Sequence, residues 1–368
     1  MERAITNKIE ELSKQMIEDI KTIVRMPSVE TPYELNAPFG KDIALTLDKT
    51  LQIAASLGFE TKQLDHYIGY AQYGKGEDYI GIIGHLDVVE VGSGWKHPPF
   101  SGYEEDGRIY SRGILDNKGP IMTCLYALYA LKELNIKLNK PVRIIFGCDE
   151  ETGFKDLEYY LKHELPPVMG FTPDCKYPVV YGERGRAVIE IQAKDNQVDD
   201  FFKFLNTYFL NANSNGDKLG LDYQDKEYGM NEMRNYVLKH EDNKLIFSVT
   251  FSYPATMTLE MIIDTIKEKA KSFDVCCKQH YYPVKFDKDC LMVKALQKAY
   301  EEVTNLDGTP VTTTGGTYAK LMPNIVPFGP SFPGQKGIGH QPNEWMDIKD
   351  LITNAKIYAL GIYYLGML

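Results

Sequence analysis

The first half of the chain alternates between helical and strand-like spacing of its hydrophobic residues. Apolar positions recur at helical spacing over 4–25, 41–58 and 117–135. Residues 59–84 predict strands that break at "DHYIGY" and "GKGEDY", and 141–147 predicts a short strand that is apolar apart from Arg143. Such a strand is typical of a sheet covered on both faces. The alternation therefore predicts an α/β domain with a largely parallel sheet.

The pattern changes near residue 187. A strand, a helix, a hairpin joined at "DNK", a second helix and a final strand follow in the order β-α-β-β-α-β. This order predicts a small two-layer α+β domain. Helix, strand and helix then resume to the C-terminus. We therefore predict a discontinuous main domain over 1–186 and 285–368, interrupted by a small domain over 187–284 of plausible size.

The two ends of the chain predict helices rather than membrane or export segments. The late apolar run "IYALGIYYLGML" is too short to cross a bilayer. Its lead-in places Ile348, Leu351, Ile352 and Ala355 at helical spacing, which predicts a helix packed in the core. The first stretch, "MERAITNKIEELSKQMIEDI", is charged throughout and is not typical of a signal peptide. We expect a cytoplasmic protein without a membrane partner.

Composition narrows the class of function. The chain has 368 residues, of which 43% are hydrophobic and 25% charged, as in folded globular proteins. The formal net charge of −10, with no basic stripe to offset it, argues against a nucleic-acid partner. The six cysteines form no C-x-x-C pair, so a thiolate zinc site is not expected. They are read as reduced thiols of a cytosolic protein.

Acids and histidines gather where the predicted elements end. In open α/β sheets, ligands bind at the carboxyl ends of the strands. Strand ends, helix starts and one glycine-rich loop carry the candidate residues His85, Asp87, Asp116, Asp149, Glu150, Glu151, Asp174 and His340. Taken singly, each has a plain structural reading as a satisfied strand-end residue, a solvated loop acid or a turn cap. Their shared placement at one sheet edge favours a common site.

The donor types of this set predict a metal site. Carboxylates together with imidazoles suit zinc, manganese or cobalt. One carboxylate shared by two metals would hold them about 3.5–4 Å apart, the spacing of two-metal hydrolases. A further acid must then take the proton of the attacking water and pass it to the leaving amine. The consecutive acids Glu150 and Glu151 are able to divide these tasks.

Several strings resemble one known family. "GHLDVV", "RGILDNKGP", "DEETG", "FTPD", "YPVVYGERG" and "GHQPNEW" look like the motif series of zinc metallopeptidase family M20. That family holds dipeptidases, carnosinases, aminoacylases, and acetylornithine and succinyl-diaminopimelate deacylases. "RMPSVE" and "APFGKDIALTLD" further resemble its bacterial dipeptidase V branch. The resemblance implies a phosphorylase/hydrolase-like mixed-sheet catalytic domain covered by helices, with an inserted α+β ferredoxin-like lid domain.

The resemblance implies a ligand set for two divalent metal ions, zinc first and manganese or cobalt as alternatives. His85 of "GHLDVV" and Asp174 of "FTPD" would bind one metal. Glu151 of "DEETG" and His340 of "GHQPNE" would bind the other. Asp116 of "ILDNKG" would bridge the two.

The resemblance also implies roles for residues that do not bind the metals. Glu150 would be the general base, and Asp87 would orient His85 from behind the metal. The alternation of His85 and Asp87 along the ending strand suits this division of roles. Residues of "TTGGTYAK" match a loop that lines the substrate pocket in relatives, and they are Gly315, Gly316 and Thr317.

The inserted domain departs from the family pattern. No Ala-His-Gly occurs, although in relatives that histidine reaches the reacting carbonyl oxygen. Ser252 of "FSYP" stands where an arginine grips the substrate's terminal carboxylate, and serine cannot replace a bidentate cation. Substitutes to consider are His240, His280, Arg184, Arg186 and Arg234. Relatives with a single lid dimerise through it and lend the histidine, so its absence weakens the case for a dimer.

The sequence leaves three functions open. The first is a metal-dependent peptidase that hydrolyses dipeptides or short peptides with a two-metal-activated water. The second is an N-acyl amino acid deacylase, which differs only on the acyl side of the substrate. The third is a metal-binding, peptide-binding protein with little turnover, and the retained Glu150 argues against it. The expected partner is a small peptide, and the chain is expected to be a monomer or a homodimer formed through the lid.

Overall fold

The computed structural model describes residues 1–368. Its α-helices are α1 (Glu2–Val24), α2 (Lys41–Ser56), α3 (Lys118–Glu133), α4 (Lys155–His163), α5 (Val198–Leu205), α6 (Leu259–Ala270), α7 (Leu291–Thr304) and α8 (Ile348–Gly366).

The strands form one six-stranded sheet, one four-stranded sheet and several small sheets of two or three short strands. Those of the first half are β1 (Glu60–Leu64), β2 (Ile68–Tyr73), β3 (Ile80–His85), β4 (Tyr103–Glu105), β5 (Arg108–Tyr110), β6 (Val142–Gly147), β7 (Met169–Thr172), β8 (Cys175–Lys176), β9 (Val180–Glu183) and β10 (Gly185–Lys194). Those of the second half are β11 (Gln224–Asp225), β12 (Gly229–Met230), β13 (Glu232–Glu241), β14 (Lys244–Tyr253), β15 (Asp274–Tyr281), β16 (Val284–Lys285), β17 (Val311–Thr313), β18 (Ile325–Pro327), β19 (Pro330–Ser331) and β20 (Trp345–Asp347).

The chain divides into two compact units. The first unit comprises Met1–Val180, Asp287–Pro310 and Thr317–Leu368, and the second comprises Tyr181–Phe286 with Val311–Gly316. The sequence placed the insert over 187–284, so the second unit begins before that stretch and also takes a later segment. The later segment joins because β17 is a member of the three-stranded sheet β16-β9-β17.

The first unit is built on a six-stranded mixed sheet in the order β1-β2-β6-β3-β7-β18. Strand β3 runs parallel to both β6 and β7, and β18 runs parallel to β7. Strand β2 is antiparallel to both of its neighbours, the edge strand β1 and the inner strand β6, and a short turn rather than a helix joins β1 to β2. Five of the six strands therefore run in one direction and only β2 opposes them, so the sheet is mixed, as the resemblance implied, and largely parallel, as the alternation predicted.

The centre of this sheet is fully buried. Every residue of β3 and β6 is buried, and Ile82, Ile144 and Ile145 are 0% exposed. Helix α3 packs on both strands and also contacts α1 and α8. Its broad apolar face is the reason, since nearly the whole helix from Lys118 to Leu131 is buried. Burial of this amount of apolar surface is the main source of stability for the unit.

The second unit has the predicted β-α-β-β-α-β order. Strands β13-β14-β10-β15 form an antiparallel sheet, with α5 and α6 in the crossovers, which is the ferredoxin-like arrangement. The predicted hairpin at "DNK" joins β13 to β14. Asp242 and Asn243 hold φ of 51° and 58° there, as a two-residue turn of type I′ requires. Aromatic and aliphatic side chains such as Phe201, Val249 and Ile262 fill the core of the unit.

The terminal helices are as predicted. Helix α8 buries Leu351 and Ala355 together with most of its last three turns. No helix of the structure has both the length and the apolar content that a membrane span needs.

Candidate metal centre

Three neighbouring parallel strands bring the candidate residues to one edge of the sheet. His85 is the last residue of β3 and lies in register with Gly147, the last residue of β6. The segment with Glu150 and Glu151 follows β6, and Asp174 follows β7 by two residues. Because parallel strands end at the same edge, side chains far apart in sequence converge there. The sequence predicted this convergence.

Close packing at these strand ends requires glycine. A Cβ on Gly147 would lie 2.0 Å from the hydroxyl oxygen of Tyr318, and a Cβ on Gly84 would lie 2.2 Å from the side-chain oxygen of Asn117. Neither position has room for a side chain. The strand ends therefore approach the surrounding loops more closely than any other residue type would allow.

Two groups of potential metal ligands share one aspartate. The first group is His85, Asp116 and Asp174, and the second is Asp116, Glu151 and His340. Within each group, the ligand atoms all lie within 4.8 Å of one another. The structure thus brings together all five residues that the resemblance implied as ligands.

The distances show how Asp116 faces both groups. Its Oδ1 lies 3.0 Å from Nε2 of His85, and its Oδ2 lies 3.0 Å from Nε2 of His340. The same His85 nitrogen is 3.7 Å from Oδ2 of Asp174. The Nε2 of His340 is 2.9 Å from Oε1 of Glu151. Each oxygen of Asp116 therefore belongs to a different group.

Asp87 connects the two groups from behind. The Nδ1 of His85 lies 2.9 Å from the backbone oxygen of Asp87 and 3.5 Å from its carboxylate Oδ1. The other carboxylate oxygen accepts a hydrogen bond of 3.0 Å from the backbone N–H of Glu151. The sequence expected the Asp87 side chain to orient His85. In the structure the nearest oxygen to the ring is the Asp87 carbonyl, and the carboxylate also fixes the Glu151 backbone.

Asn117 holds the first group in place and was not identified from the sequence. Its side-chain oxygen accepts from the backbone N–H of His85 at 3.3 Å. Its amide nitrogen donates to the Pro173 carbonyl at 2.6 Å and lies 3.4 Å from Oδ1 of Asp174. It follows Asp116 through a cis peptide bond. One side chain therefore ties the ends of β3 and β7 to the Asp116 segment.

Glu344 supports Asp116 and was also missed. Its Oε1 accepts from the backbone N–H groups of Leu115 and Asp116, at 2.9 and 3.1 Å. Its Oε2 pairs with Nη1 of Arg112 at 2.8 Å, and both side chains are almost fully buried. Burial raises the pKa of Glu344 to about 7, against the effect of Arg112 and the two amides. The position of Glu344 in "GHQPNEW" was the only signal in the sequence.

Asp156 supports the segment that carries Glu150 and Glu151. Its Oδ2 accepts from the backbone N–H of Cys148 at 2.7 Å and of Asp149 at 3.2 Å. The same oxygen accepts from the hydroxyl of Tyr318. Asp156 is 0% exposed, and this burial raises its pKa to about 7. A buried acid thus fixes the turn that follows β6.

Buried charge dominates the electrostatics of the site. Burial alone would raise the pKa of Asp116, but hydrogen bonds from His340 and His85 bring it well below its usual range. Hydrogen bonds to Asp116 and Glu151 raise the pKa of His340 to about 11. Burial raises the pKa of Asp174, and the charge of Asp116 adds to this. The carboxylates outnumber the imidazoles, so the site favours added positive charge.

Glu150 lies beside the two groups without belonging to either. Burial raises its pKa well above the usual value, and the negative charge of Asp174 adds to the effect. Its neighbour Asp149 turns away from the groups, because it accepts from the hydroxyl of Thr152 and the backbone N–H of Lys155. Of the three consecutive acids, Glu150 therefore keeps a carboxylate near the site that is not part of a ligand group.

The donor set fits divalent cations. Each group combines carboxylate oxygens with one imidazole nitrogen, a mixture that suits zinc, manganese or cobalt. The ring of His85 is oriented by a second contact, from its Nδ1 to the carbonyl oxygen of Asp87, as metal-binding histidines usually are. Two cations would also offset the excess of buried negative charge. The residues present therefore match a two-cation site in donor type, number and charge.

The boundary between the two units falls within the expected substrate loop, between Gly316 and Thr317. Gly315 and Gly316 are exposed and belong to the second unit. Thr317 belongs to the first unit, is 3% exposed, and caps a short 3-10 helix by accepting from the backbone N–H of Ala319. A role for these three residues in binding substrate stays a prediction.

Five residues of the second unit were considered as substitutes for the missing lid histidine and arginine. They differ in whether their side chains are buried or already contact another group. His240 lies 2.8 Å from a carboxylate oxygen of Asp195, and His280 contacts the hydroxyl of Tyr253. Arg184 is buried and donates to the carbonyl of Tyr228 at 2.7 Å. The exposed arginines are Arg186 and Arg234. Ser252 is 2% exposed, and Arg186 is its partner across the sheet.

Comparisons with known proteins place these observations in a family. Residues 81–363 match the sequence model of Peptidase family M20/M25/M40. A curated relative, "Putative dipeptidase YtjP" of Bacillus subtilis (strain 168), is 29% identical over 452 aligned positions, which cover 96% of this chain and 97% of the relative. A putative dipeptidase of Staphylococcus epidermidis is 26% identical, and the alignment covers 97% of this chain and 98% of the relative.

Solved structures of other proteins share the fold of this chain. Human carnosine dipeptidase 1 has a TM-score of 0.78 with 14% sequence identity, over 100% of this chain and 99% of the other. The M20 family metallo-carboxypeptidase Sso-CP2 from Sulfolobus solfataricus has a TM-score of 0.72 with 18% identity, over 95% of this chain and 99% of the other. The matched segment contains all five potential ligands, so the chain belongs to Peptidase family M20/M25/M40 and is a metal-dependent peptidase.

Proposed function

We propose that the chain hydrolyses dipeptides or short peptides with a free N-terminus, using two divalent cations. The observation that supports this most directly is the pair of ligand groups that share Asp116. His85, Asp116 and Asp174 would hold one cation. Asp116, Glu151 and His340 would hold the other. The preference for dipeptides is supported by relatives described as putative dipeptidases that align over nearly the whole chain.

The residues around the ligands would perform the proton transfers. A bound pair of divalent cations polarises the scissile carbonyl and lowers the pKa of the attacking water. Glu150 accepts the proton of that water as its oxygen bonds to the carbonyl carbon. Glu150 then donates the proton to the leaving nitrogen as the carbon–nitrogen bond breaks. The products are a carboxylic acid and an amine, and Glu150 returns to its starting state.

Asp87 would act as a positioning residue. Its carbonyl and carboxylate oxygens face Nδ1 of His85, which leaves Nε2 directed at Asp116 and Asp174. Its second carboxylate oxygen holds the backbone of Glu151. Asp87 would thus keep one ligand of each cation in place.

Zinc is the proposed cation, with manganese or cobalt as alternatives. The donor set contains carboxylates and imidazoles and no thiolate, and this combination accepts all three metals. The substrate-binding role of Gly315, Gly316 and Thr317 and the lid role of the second unit also belong to the proposal. They rest on the family resemblance alone.

The proposal is tested with a panel of dipeptides and N-acyl amino acids. Metal-stripped protein is compared with zinc-, manganese- and cobalt-loaded protein, beside Glu150→Gln. We expect metal-dependent cleavage of dipeptides and a loss in kcat of about 10²–10⁴-fold in the variant, the usual contribution of a general acid–base group. The bound metal, measured by elemental analysis, should stay the same. Glu158→Gln, on an exposed position of α4, is the matched control.

Other outcomes would contradict the proposal in distinct ways. Cleavage of N-acyl amino acids but not dipeptides would identify a deacylase. Metal binding without any cleavage would favour a peptide-binding protein. Full activity in Glu150→Gln would remove Glu150 from the mechanism.

A further inference from the structure

A cleft of about 360 Å³ borders the candidate metal centre within the first unit. It is called here the lysine cleft, and its polar lining residues are Asp116, Asp174, Lys176, Ser331, Gln335 and Lys336. Its volume lies at the lower end of the range for ligand sites. It has room for a small part of a substrate. Because it shares two residues with the ligand groups, a substrate bound at the centre would reach into it.

Neither lysine of the cleft is neutralised by the protein. Lys176 and Lys336 form no ion pair, whereas many other lysines of the chain pair with an acid. Lys176 is half-buried at the end of β8, and Lys336 is exposed in the loop after β19. Parallel pairing sets Ser331 of β19 opposite Lys176 of β8. The two cationic side chains therefore line the same cleft from neighbouring backbone segments.

The other polar groups leave the cleft without a free acid. Gln335 uses its side-chain oxygen for the backbone N–H of Phe332 and its amide for Asp350, at 2.9 and 2.7 Å. Asp116 and Asp174 are potential metal ligands, so their charges are offset when cations are bound. The remaining charges on the lining are the two ammonium groups. Such a surface attracts an anion.

A cavity on another side of the centre has different chemistry. It has a volume of about 650 Å³ and is lined by Glu30, Glu90 and Glu151, with Lys155 as its one cation. The acids there outnumber the single lysine. An anionic part of a substrate is therefore favoured in the lysine cleft, and disfavoured in this second cavity.

We propose that the lysine cleft is a subsite for a carboxylate of the peptide substrate, bound by Lys176 and Lys336. This inference rests on the proposed peptidase function and specifies its substrate class. The carboxylate is either the terminal carboxylate of the peptide or an acidic side chain. The apolar residues Leu115 and Ile338 line the same cleft and suit the methylene groups that carry the carboxylate.

The test measures binding in the absence of turnover. Zinc-loaded Glu150→Gln protein is titrated by calorimetry with four probes: alanyl-alanine, alanyl-alanine amide, aspartyl-alanine amide, and alanyl-aspartate with an amidated C-terminus. The first probe carries only a terminal carboxylate, the second carries none, and the last two carry only a side-chain carboxylate. The same titrations are made after Lys176→Met and Lys336→Met are combined.

We expect the double substitution to weaken at least one carboxylate probe about tenfold, as for loss of partly exposed charge-assisted contacts. Binding of alanyl-alanine amide should not change. The affected probe identifies the source of the carboxylate. Arginine at both positions should retain most of the affinity. Lys75→Met combined with Lys137→Met removes the same charge from exposed positions elsewhere in the first unit and is the matched control.

Hydrolysis by protein with Glu150 intact separates the two proposals. Lysine-dependent binding without cleavage would contradict the peptidase proposal and retain the subsite. Cleavage together with equal binding of every probe to the double variant and the control would overturn the subsite and retain the peptidase. Failure of all four probes to bind would overturn the subsite as well.

Discussion

Asp116 is the residue on which the candidate metal centre depends. Its two oxygens face His85 and His340, and its backbone N–H is held by Glu344. Few single residues have contacts with both ligand groups and with a buried support. Asp87 likewise contacts both ligand groups, through the ring of His85 and the backbone of Glu151. The site is thus held together by two aspartates, each of which contacts both ligand groups.

Asp156 gives a prediction for stability against pH. Its pKa rises from 3.8 to about 7 on folding because the side chain is buried. Between these values the folded chain keeps a proton that the unfolded chain has lost. Its contribution to stability is therefore complete below pH 4 and is lost as pH rises towards 7. The total change is of the order of 4 kcal/mol.

The measurement compares unfolding free energies of metal-free wild type and Asp156→Asn by urea denaturation from pH 4 to pH 7. We expect the wild type to lose stability relative to the variant as pH rises. Asp106→Asn, in an exposed turn, is the control. A constant difference between wild type and Asp156→Asn over this range would show that Asp156 is ionised in the folded protein throughout.

The sequence predicted the site as far as parallel strand ends determine it. His85, Glu151 and Asp174 follow strands whose apolar character is plain in the sequence, and parallel neighbours must end together. Glu344 could not be assigned a role, because its contact with the Asp116 segment joins residues 229 positions apart. The role of Asn117 likewise depends on which strands become neighbours. Local patterns carry no information about such long-range hydrogen bonds.

The boundaries of the helices and strands also depend on contacts that local sequence patterns do not reveal. The predicted break at "DHYIGY" is shorter in the structure, where β2 already begins at Ile68. Asp65 and His66 make the turn with φ of 47° and 57°, values that non-glycine residues seldom adopt. The strand pairing of β1 with β2 imposes this conformation. Neither Asp65 nor His66 is a glycine, so the sequence gave no sign of so tight a turn at these two positions.

The buried pair of Glu344 and Arg112 connects the loop before β20 to the segment before α3. Glu344→Gln should lower the affinity for zinc about 10–100-fold, as loss of a group that orients a ligand usually does. It should also destabilise the fold by about 3–5 kcal/mol, because Arg112 is left buried without its partner. Competition with a chromophoric chelator measures the first effect at pH 8, and urea denaturation measures the second.

A double variant separates positioning from stability. Glu344→Gln with Arg112→Met removes the unpaired charge and should recover part of the stability. The affinity for zinc should stay low, because the glutamine lacks the charge that holds the N–H groups of Leu115 and Asp116. Recovery of both properties together would mean that Glu344 acts only through stability.

At the scale of the whole molecule, all potential metal ligands belong to one compact unit. Chelation of the metal should therefore lower the stability of the first unit and leave the second unchanged. Ligand binding at 100 times its Kd stabilises a folded protein by about 2.7 kcal/mol. Both tryptophans, Trp95 and Trp345, lie in the first unit, so their fluorescence reports on that unit alone.

Thermal unfolding followed by tryptophan fluorescence should shift to lower temperature after chelation and return when zinc is added back. His340→Ala is a useful comparison, since it removes one ligand and should make the transition less sensitive to chelator. An unchanged fluorescence transition in the wild type would indicate that the two groups hold no stabilising cation.

The order of the ligands along the chain also sets the order in which they leave the ribosome. His85, Asp116 and Asp174 all precede Tyr181, where the second unit begins, whereas His340 follows that unit. The strands β3, β6 and β7 that position the first group are likewise made early, and the late strand β18 adds only to the edge of their sheet. A nascent chain therefore carries the donors for one cation long before the donors for the other exist. Loading of the second cation must wait until the chain has been made as far as His340.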